Sequence, residues 1–204
     1  MNTVVLATGN PNKVAEMIPV IAPYGLAAVP QSELFHGEVE EDGLSFIENA
    51  LKKARFASAQ TGLPALADDS GLEVAALQGK PGLISARYAS QGRHKPSDVE
   101  NVQQLLHDMR HLPYSQRQAR YVSAVVYVQH AKDARPLIGV GHWYGEVLMA
   151  PRSGCGIGYD DIMWIPKLVR TVSELSLADK IRLSHRTHAI HSVMAQLKAN
   201  AFYD

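Results

Sequence analysis

The order of hydrophobic and polar positions predicts strands and helices in turn over the first third of the chain. Residues 3–8 are mostly β-branched or apolar, which predicts a strand. A helix is predicted to follow, because Asn10 suits its cap and Pro11 its first turn. Within this helix Pro19 predicts a kink or an early end. Residues 26–30 predict a second strand.

Capping signals mark two further helices. Ser45 and Ser97 are each followed three residues later by glutamate, which is the spacing of a capping box, and an apolar stripe follows both. Gly62 is predicted to end the first of these helices. Residues 65–67 then predict a short strand that ends at the polar sequence Asp68-Asp69-Ser70-Gly71.

Strand signals gather in the second half of the chain. Residues 121–128 give the strongest of them, and 137–140 and 143–148 predict two more strands. Ser176 is predicted to cap a final helical stretch. Strands that first alternate with helices and then cluster predict an α/β fold with a mixed β-sheet flanked by helices, in a single domain over residues 1–204.

Composition and charge narrow the class of protein. The 204 residues carry 20 Lys plus Arg against 20 Asp plus Glu, and this balance argues against a surface that binds nucleic acid or anionic membranes. The longest strongly apolar run, residues 124–128, is far shorter than the roughly 20 residues that span a bilayer. The single cysteine, Cys155, suits a small buried thiol better than a nucleophile and cannot form an intramolecular disulfide. Since the first residues also lack a secretory pattern, we expect a cytoplasmic protein that binds neither nucleic acid nor membrane.

The first candidate site is the turn between Thr8 and Lys13. Backbone N–H groups at a helix N-terminus attract phosphate, Thr8 and Asn10 add polar groups, and Lys13 adds a positive charge. A capped helix without a ligand explains the same residues equally well.

Two acidic runs, Glu40-Glu41-Asp42 and Asp68-Asp69, form the second candidate. Neighbouring carboxylates repel each other, so they predict a cation partner or a perturbed pKa. Mg²⁺ suits such oxygens, because it binds through one or two carboxylates together with substrate phosphates. A polar turn with solvated charges is the alternative for each run.

The third candidate is Ser184-His185-Arg186. Helical geometry places Arg186 within an apolar stripe, where an unpaired charge is costly, and His185 away from it. The alternative is that Ser184 caps a new helix and Arg186 reaches solvent. A zinc site is disfavoured, because His185, His188 and His191 spread over about 120° of helix.

Six motifs occur in one order along the chain. They are Thr8-Gly9-Asn10-x-x-Lys13, Phe46-x-Glu48-Asn49-Ala50-x-x-Lys53-Ala54, Ala67-Asp68-Asp69-Ser70-Gly71-Leu72, Pro81-Gly82-x-x-Ser85-Ala86-Arg87-Tyr88, Gly158-Tyr159-Asp160 and Ser184-His185-Arg186. In this order and spacing the chain resembles the inosine/xanthosine triphosphate pyrophosphatase family, enzymes that clear deaminated purine nucleotides. The resemblance extends over residues 3–197.

The resemblance implies an elongated mixed sheet with two lobes and a cleft between them, a homodimer, and Mg²⁺. It implies hydrolysis of ITP, dITP or XTP to the monophosphate and pyrophosphate. Asp69, helped by Asp68, would orient and deprotonate the attacking water, and Lys53 would neutralise phosphate charge. The implied metal ligands are Asp69 and either Glu40 or Glu41. The implied substrate-binding residues are Thr8, Gly9, Asn10, Lys13, Ser70, Ile157, Gly158, Tyr159, Asp160, Lys180, His185 and Arg186.

The resemblance also implies how the base is read, and one departure bears on it. Arg186, with Lys180 and His185, would donate to a 6-keto oxygen, which leaves the amino group of adenine badly paired. The family pattern has a Phe that stacks on the purine where this chain has Ile157, and a Pro where it has Asp161. Because stacking is worth about 1–3 kcal/mol per base, we expect weaker substrate binding and so a higher KM than an enzyme with the Phe would have. Two alternatives stay open: the same reaction on another modified nucleotide, and a nucleotide-binding protein without turnover.

Overall fold

The computed structural model describes residues 2–152, 154 and 156–200, and Cys155 lies outside these residues. Five α-helices and seven β-strands are found in the described part of the chain. The helices are α1 (Pro11–Ile21), α2 (Phe46–Thr61), α3 (Asp98–Asp108), α4 (Leu177–Leu183) and α5 (His185–Asn200). The strands are β1 (Asn2–Leu6), β2 (Leu26–Pro30), β3 (Ala65–Val74), β4 (Gln118–Val128), β5 (Leu137–Val147), β6 (Met163–Ile165) and β7 (Arg170–Thr171). None of the described helices is both long and apolar enough to cross a membrane.

All seven strands belong to one sheet, in the order β2-β1-β3-β4-β5-β6-β7. β1 is parallel to β2 and to β3, whereas β6 is antiparallel to β5 and β7. The predicted α/β fold with a mixed sheet is therefore confirmed. The single domain, the two lobes and the cleft stay predictions.

Contacts divide the chain into two compact units, of which the first comprises residues 2–69, 123–141 and 184–200. In this unit α1 packs against α5, and α2 packs against β1. The side of α2 that faces the sheet is built from small residues, since Ala50, Ala54 and Ala57 are fully buried. They pack in one cluster with strand residues that include Val5, Ala67 and Val126.

The second unit comprises residues 70–122 and 142–183, and its core contains larger side chains. Arg117 is buried inside it and only 1% exposed. Its guanidinium donates to the carbonyl oxygens of Met109, Val147 and Leu148 at 2.7 to 2.9 Å. These three bonds satisfy carbonyls at the end of α3 and the end of β5, which explains how a charged group is tolerated in a core.

Two strand predictions are corrected by the structure. The strand predicted over residues 65–67 extends to Val74, so Asp68 and Asp69 lie inside β3 and not after its end. The two strands predicted over 137–140 and 143–148 are one continuous strand, β5. In both cases long-range contacts override a local polar or glycine signal.

Helix boundaries follow the capping signals with two differences. The complete capping box at Ser97 opens α3 as predicted, whereas at α2 the Glu48 carboxylate accepts from the N–H of Leu44 instead of the cap residue. Pro19 lies in the last turn of α1, which ends at Ile21. The predicted final helical stretch is divided into α4 and α5 at Ser184.

Glycines of β5 allow helix α5 to approach the strand closely. A Cβ at position 141 would overlap the carbonyl oxygen of His185 and lie 2.7 Å from the backbone nitrogen of Ala189. A Cβ at position 139 would meet the carbonyl oxygen of Ala189 in the same way. No side chain larger than hydrogen fits unless the helix moves away from the strand.

Substituting Gly141 by alanine is therefore expected to destabilise the protein by about 3 kcal/mol, near the upper end for overpacking, because the obstacle is backbone. Urea unfolding measures this loss. The matched control is Gly79→Ala, since Gly79 has open space around it but a positive φ of 86°, so only about 1 kcal/mol of backbone strain is expected there. Equal losses for the two variants would contradict the close approach.

Candidate active site

The turn between β1 and α1 has the geometry of a capped helix start. The Asn10 Oδ1 atom accepts from the N–H groups of Asn12 at 2.9 Å and Lys13 at 3.4 Å. The hydroxyl of Thr8 accepts from the Asn10 N–H at 3.2 Å. The strand ends at Leu6, two residues earlier than predicted, so Thr8 belongs to the turn. This order of side chains holds the turn rigid beside the N-terminal end of a helix, where anions are favoured.

Asp68 is the centre of a buried group of charges on one face of β3. Its carboxylate is fully buried and lies 2.6 Å from the Lys13 ammonium and 3.3 Å from the Arg186 Nε atom. The hydroxyl of Ser123 donates to it, and the Arg186 guanidinium also pairs with Glu16 of α1. Burial of Asp68 alone would raise its pKa, but Arg186 and Lys13 outweigh this effect and hold the pKa well below its usual range.

Asp69 lies on the opposite face, because successive side chains of a strand alternate. Its Oδ1 atom accepts from the Lys53 ammonium at 2.9 Å, and its Oδ2 atom accepts from the Asn49 amide at 3.3 Å. Lys53 also lies 3.3 Å from the Glu41 carboxylate. One lysine of α2 thus stands between two carboxylates, one from a strand and one from an exposed loop.

The two carboxylates beside Lys53 differ in pKa. Burial and the negative charge of Glu41 raise the pKa of Asp69 to about 6, although Lys53 and Lys13 oppose the shift. For Glu41, burial is outweighed by Lys53 and by a hydrogen bond with Asp69, so its pKa is lowered. Since Asp69 gives up its proton near neutral pH and Glu41 does not hold one there, Asp69 is suited to proton transfer.

The same pair fits a divalent cation. Two carboxylates that are close enough to share a hydrogen bond repel each other when both are ionised, and a cation relieves that repulsion. Within the described residues no group of three or more acidic, histidine or cysteine side chains is assembled for a metal, so water and substrate phosphates would supply the other ligands of a bound cation. Glu41 is the better placed of the two candidate glutamates, because it pairs with Lys53 beside Asp69, whereas Glu40 makes no ion pair among the described residues.

His185 and Arg186 both lie in the first turn of α5 and are buried. The sequence left open the alternative that Ser184 caps a new helix and Arg186 reaches solvent. Its first half is correct, since the Ser184 hydroxyl accepts from the Thr187 N–H at 3.1 Å. Its other half is wrong, because Arg186 is 7% exposed and paired with acidic residues.

The remaining predicted residues lie in the second unit. Asp160 is buried and accepts from the Tyr121 hydroxyl at 2.9 Å and from the Lys180 ammonium at 2.7 Å. The Tyr159 hydroxyl donates to the Ser85 carbonyl oxygen at 2.8 Å. Ser70, in β3, is half-buried. Lys180 is thereby fixed in place by an acidic partner with part of its side chain still accessible.

The loop that carries Ile157 is held by two carboxylates. Gly158 has a positive φ of 62° and donates its N–H to Asp98 at 2.7 Å. The N–H of Gly156 donates to Asp161 at 3.0 Å. Between these two bonds the Ile157 side chain is 46% exposed. The Ile157 side chain therefore presents an apolar surface to solvent.

Sequence reasoning missed three residues that contact the predicted site. Glu16 lies one helical turn after Lys13, and Asn49 lies one turn before Lys53, so each shares a helix face with a predicted lysine. That i, i+3 or i, i+4 spacing was an available signal for both, and Asn49 also stands in one of the six motifs, although no role was assigned to it. Ser123 gave no signal, because it reaches Asp68 only through pairing of distant strands.

The fold and the charge clusters define the class of the protein. It is a mixed α/β protein in which two adjacent aspartates of one strand are each paired with a lysine from a helix. Comparison with known proteins then shows that the chain belongs to the Ham1 family, whose sequence profile matches residues 4–196. This confirms the predicted family.

The relatives cover nearly the whole chain. A dITP/XTP pyrophosphatase of Thioalkalivibrio sulfidiphilus is 47% identical over 96% of this chain and 98% of its own length. The dITP/XTP pyrophosphatase of Yersinia pseudotuberculosis is 45% identical over 97% and 99%. Among solved structures, a HAM1 protein from Coxiella burnetii has a TM-score of 0.87 and 40% identity over 98% of this chain and all of the other.

Proposed function

We propose that this chain hydrolyses dITP, ITP and XTP to the nucleoside monophosphate and pyrophosphate, with Mg²⁺ as the cation. The relatives' shared name and the family membership confirm the predicted enzyme class, a pyrophosphatase acting on non-standard purine nucleoside triphosphates. The single observation that carries the chemistry is the Asp69–Lys53–Glu41 cluster, in which one carboxylate has a pKa of about 6.

Asp69 is proposed as the general base. An ionised Asp69 accepts a proton from water while the water oxygen attacks phosphorus, and the bond to the pyrophosphate leaving group breaks. A general base must lie within hydrogen-bond reach of the proton that it removes, and a buried carboxylate fixed by two donors can be held in such a place. Lys53 and Asn49 hold its two oxygens, so the carboxylate faces the water in one orientation.

Positive charges meet the phosphates. The Lys13 side chain is 21% exposed and the Lys53 side chain is 14% exposed. Both ammonium groups can therefore reach a ligand while staying paired with an aspartate. The turn containing Thr8, Gly9 and Asn10 would add backbone donors. Phosphoryl transfer depends on such positioning and charge neutralisation more than on covalent chemistry.

Glu41 and Asp69 would hold the metal. When bound, Mg²⁺ neutralises phosphate charge and polarises the phosphorus centre that is attacked. Asp68 is proposed to orient the Lys13 ammonium and the Arg186 guanidinium and not to contact the attacking water, because its carboxylate is fully buried between these two groups.

Base recognition is assigned to Arg186, His185, Lys180 and the loop at Ile157. Donors aimed at a 6-keto oxygen accept hypoxanthine or xanthine and leave adenine unpaired. The roles of Ser70, Gly158, Tyr159 and Asp160 in holding the substrate are likewise proposals. So are a cytoplasmic location, a homodimer, and a single domain with two lobes and a cleft.

A substrate comparison tests this proposal. ITP, XTP, GTP, ATP and dUTP are supplied at equal concentration with Mg²⁺, and monophosphate formation is followed for each. We expect ITP and XTP to exceed ATP by at least about 100-fold in kcat/KM. Faster turnover of dUTP would favour the alternative substrate that the isoleucine at position 157 leaves open, and binding of ITP without turnover would favour a nucleotide-binding protein.

Replacing Ile157 by phenylalanine is expected to lower KM for ITP about 10-fold with little change in kcat. The loop already presents this side chain to solvent, and an aromatic ring there gains stacking energy of about 1–3 kcal/mol. Steady-state kinetics with ITP measures the effect, and Ile157→Leu is the control of similar size without a ring. If phenylalanine and leucine give the same KM, the position does not cover the base.

A further inference from the structure

Asn49 is a polar side chain that is buried although it lies beside, and not within, the apolar stripe of α2. It lies in the first turns of α2, is 3% exposed, and precedes the fully buried Ala50. Burying a primary amide is costly unless both of its ends are paired. Here both ends are paired, and the two partners lie on different segments of the chain.

The two hydrogen bonds of Asn49 join the acidic loop to Asp69. The Oδ1 atom accepts from the Gly43 N–H at 2.8 Å, and the amide nitrogen donates to Asp69 Oδ2 at 3.3 Å. Gly43 follows Glu41 by two residues, so the bond to Gly43 fixes the end of the loop that carries this glutamate.

A second observation shows that the contact is tight. A Cβ on residue 43 would lie 2.6 Å from Asn49 Oδ1 and 2.8 Å from the Cβ of Glu48. Position 43 has no positive φ, so its glycine is required by the close approach and not by backbone conformation. The loop and the helix are therefore fitted to each other around this amide.

We propose that Asn49 is a positioning residue that sets the distance between the Glu41 loop and Asp69. An amide is suited to this task because it accepts from a backbone N–H and donates to a carboxylate at the same time. Aspartate would repel Asp69, and leucine would leave the Gly43 N–H and one Asp69 oxygen unpaired. The inference rests on the proposed function, since it concerns the geometry of the proposed base.

A matched control lies at the equivalent position of α3. Asn101 is the fourth residue of its helix, as Asn49 is of α2, and it is 2% exposed. Its amide also bridges two segments, by accepting from the Ala89 N–H at 2.9 Å and donating to the Ala86 carbonyl oxygen at 3.2 Å. Asn101 contacts none of the proposed catalytic groups among its hydrogen bonds, so Asn101→Leu reproduces the structural damage alone.

The experiment compares Asn49→Leu with Asn101→Leu in the full chain. We expect both to lower Tm, but only Asn49→Leu to lower kcat for ITP, by about 100-fold, with KM within about 3-fold of the unmodified enzyme, because a displacement of about 1 Å costs on that order. Hydrogen exchange of the peptide that contains Gly43 is expected to accelerate in Asn49→Leu and to stay slow in Asn101→Leu. Equal kcat in the two variants, or equal exchange at Gly43, would overturn the proposal.

Two further variants separate the halves of the contact. Asn49→Asp keeps the acceptor for Gly43, so slow exchange at Gly43 should persist while kcat falls as far as in Asn49→Leu. Gly43→Ala should lower kcat and, combined with Asn49→Leu, add little, because both act through one contact. Full additivity of the two losses would overturn the proposal.

If the unmodified enzyme released no pyrophosphate from ITP, the proposed function would fail, and the exchange data would still decide whether Asn49 holds the loop.

Discussion

Asp69→Asn is expected to lower kcat for ITP by about 1,000-fold, within the range of about 10²–10⁴ that general-base catalysis contributes. The substitution keeps the shape of the side chain and its neighbours but removes the oxygen that accepts the proton. An asparagine can accept from only one of Lys53 and Asn49, and Asp69 is also a proposed metal ligand, so ITP and Mg²⁺ must both be saturating for the chemical step to be compared. Single-turnover kinetics at saturating ITP and Mg²⁺ measures the chemical step directly.

The stability of the Asp69→Asn variant should change little, because two effects oppose each other. In the fold the pKa of Asp69 is about 6, above its ordinary value of 3.8, so ionising it costs folding free energy at pH above about 6. Asparagine carries no such cost but gives up one of the two hydrogen bonds that Asp69 accepts, so at pH 8 the Tm of Asp69→Asn should stay close to that of the unmodified protein. Glu73→Gln is the control, a carboxylate on the same strand that pairs with the partly exposed Arg120 and should leave kcat unchanged. Loss of activity together with a large loss of Tm would show that Asp69 is structural and not the base.

Asp68→Asn, unlike Asp69→Asn, is expected to lower stability strongly, by about 3–5 kcal/mol of unfolding free energy. Removing one partner of a buried ion pair leaves charge uncompensated, and here Lys13 loses its carboxylate while Arg186 keeps only Glu16. Urea unfolding at pH 7 measures the loss. Asp179→Asn is the control, because Asp179 pairs with Arg182 at a half-exposed side chain, where a surface ion pair contributes little and a much smaller loss is expected.

The pH dependence of this difference gives a second test. The pKa of Asp68 is held well below its ordinary value, so its contribution to stability is present above that ordinary value, near pH 4, and is lost as pH falls further. The unmodified protein and Asp68→Asn should therefore converge in stability as pH falls below about 4. A difference that stayed constant down to pH 3 would show that the charge of Asp68 is not what stabilises the fold.

Local signals in the sequence predicted most of the elements. Proline and asparagine at the start of α1, the box at Ser97, and Gly62 after α2 each act on the residues beside them, so their effects can be derived without a fold. Gly62 adopts a positive φ of 69° at the end of α2, as the C-terminal cap of a helix favours.

Elements that depend on distant partners were not predictable in this way. The polar run after residue 67 resembles a turn, and it becomes a strand because Lys13 and Lys53, far along the chain from it, compensate its carboxylates. Gly141 resembles a strand break, and it becomes the place where α5 packs closely on β5.

The candidate site was likewise predictable in part, and the rest depends on the fold. The family resemblance identified Asp68, Asp69, Lys13 and Lys53 as a set, and repulsion between the aspartates predicted a perturbed pKa, but it did not indicate which of the two carries it. Alternation along β3 distinguishes them, because it sends Asp68 towards Arg186 and Asp69 towards Lys53. The roles assigned to these residues stay predictions until the variants are measured.

Product analysis with ITP and Mg²⁺ tests the central claim most directly. The purified protein is incubated with ITP, and inosine monophosphate, inosine diphosphate, pyrophosphate and orthophosphate are quantified by chromatography over the first few per cent of reaction, with Asp69→Asn as the inactive control. We predict inosine monophosphate and pyrophosphate in equal amounts, with activity abolished by EDTA and restored by Mg²⁺. Formation of inosine diphosphate and orthophosphate instead would contradict the account.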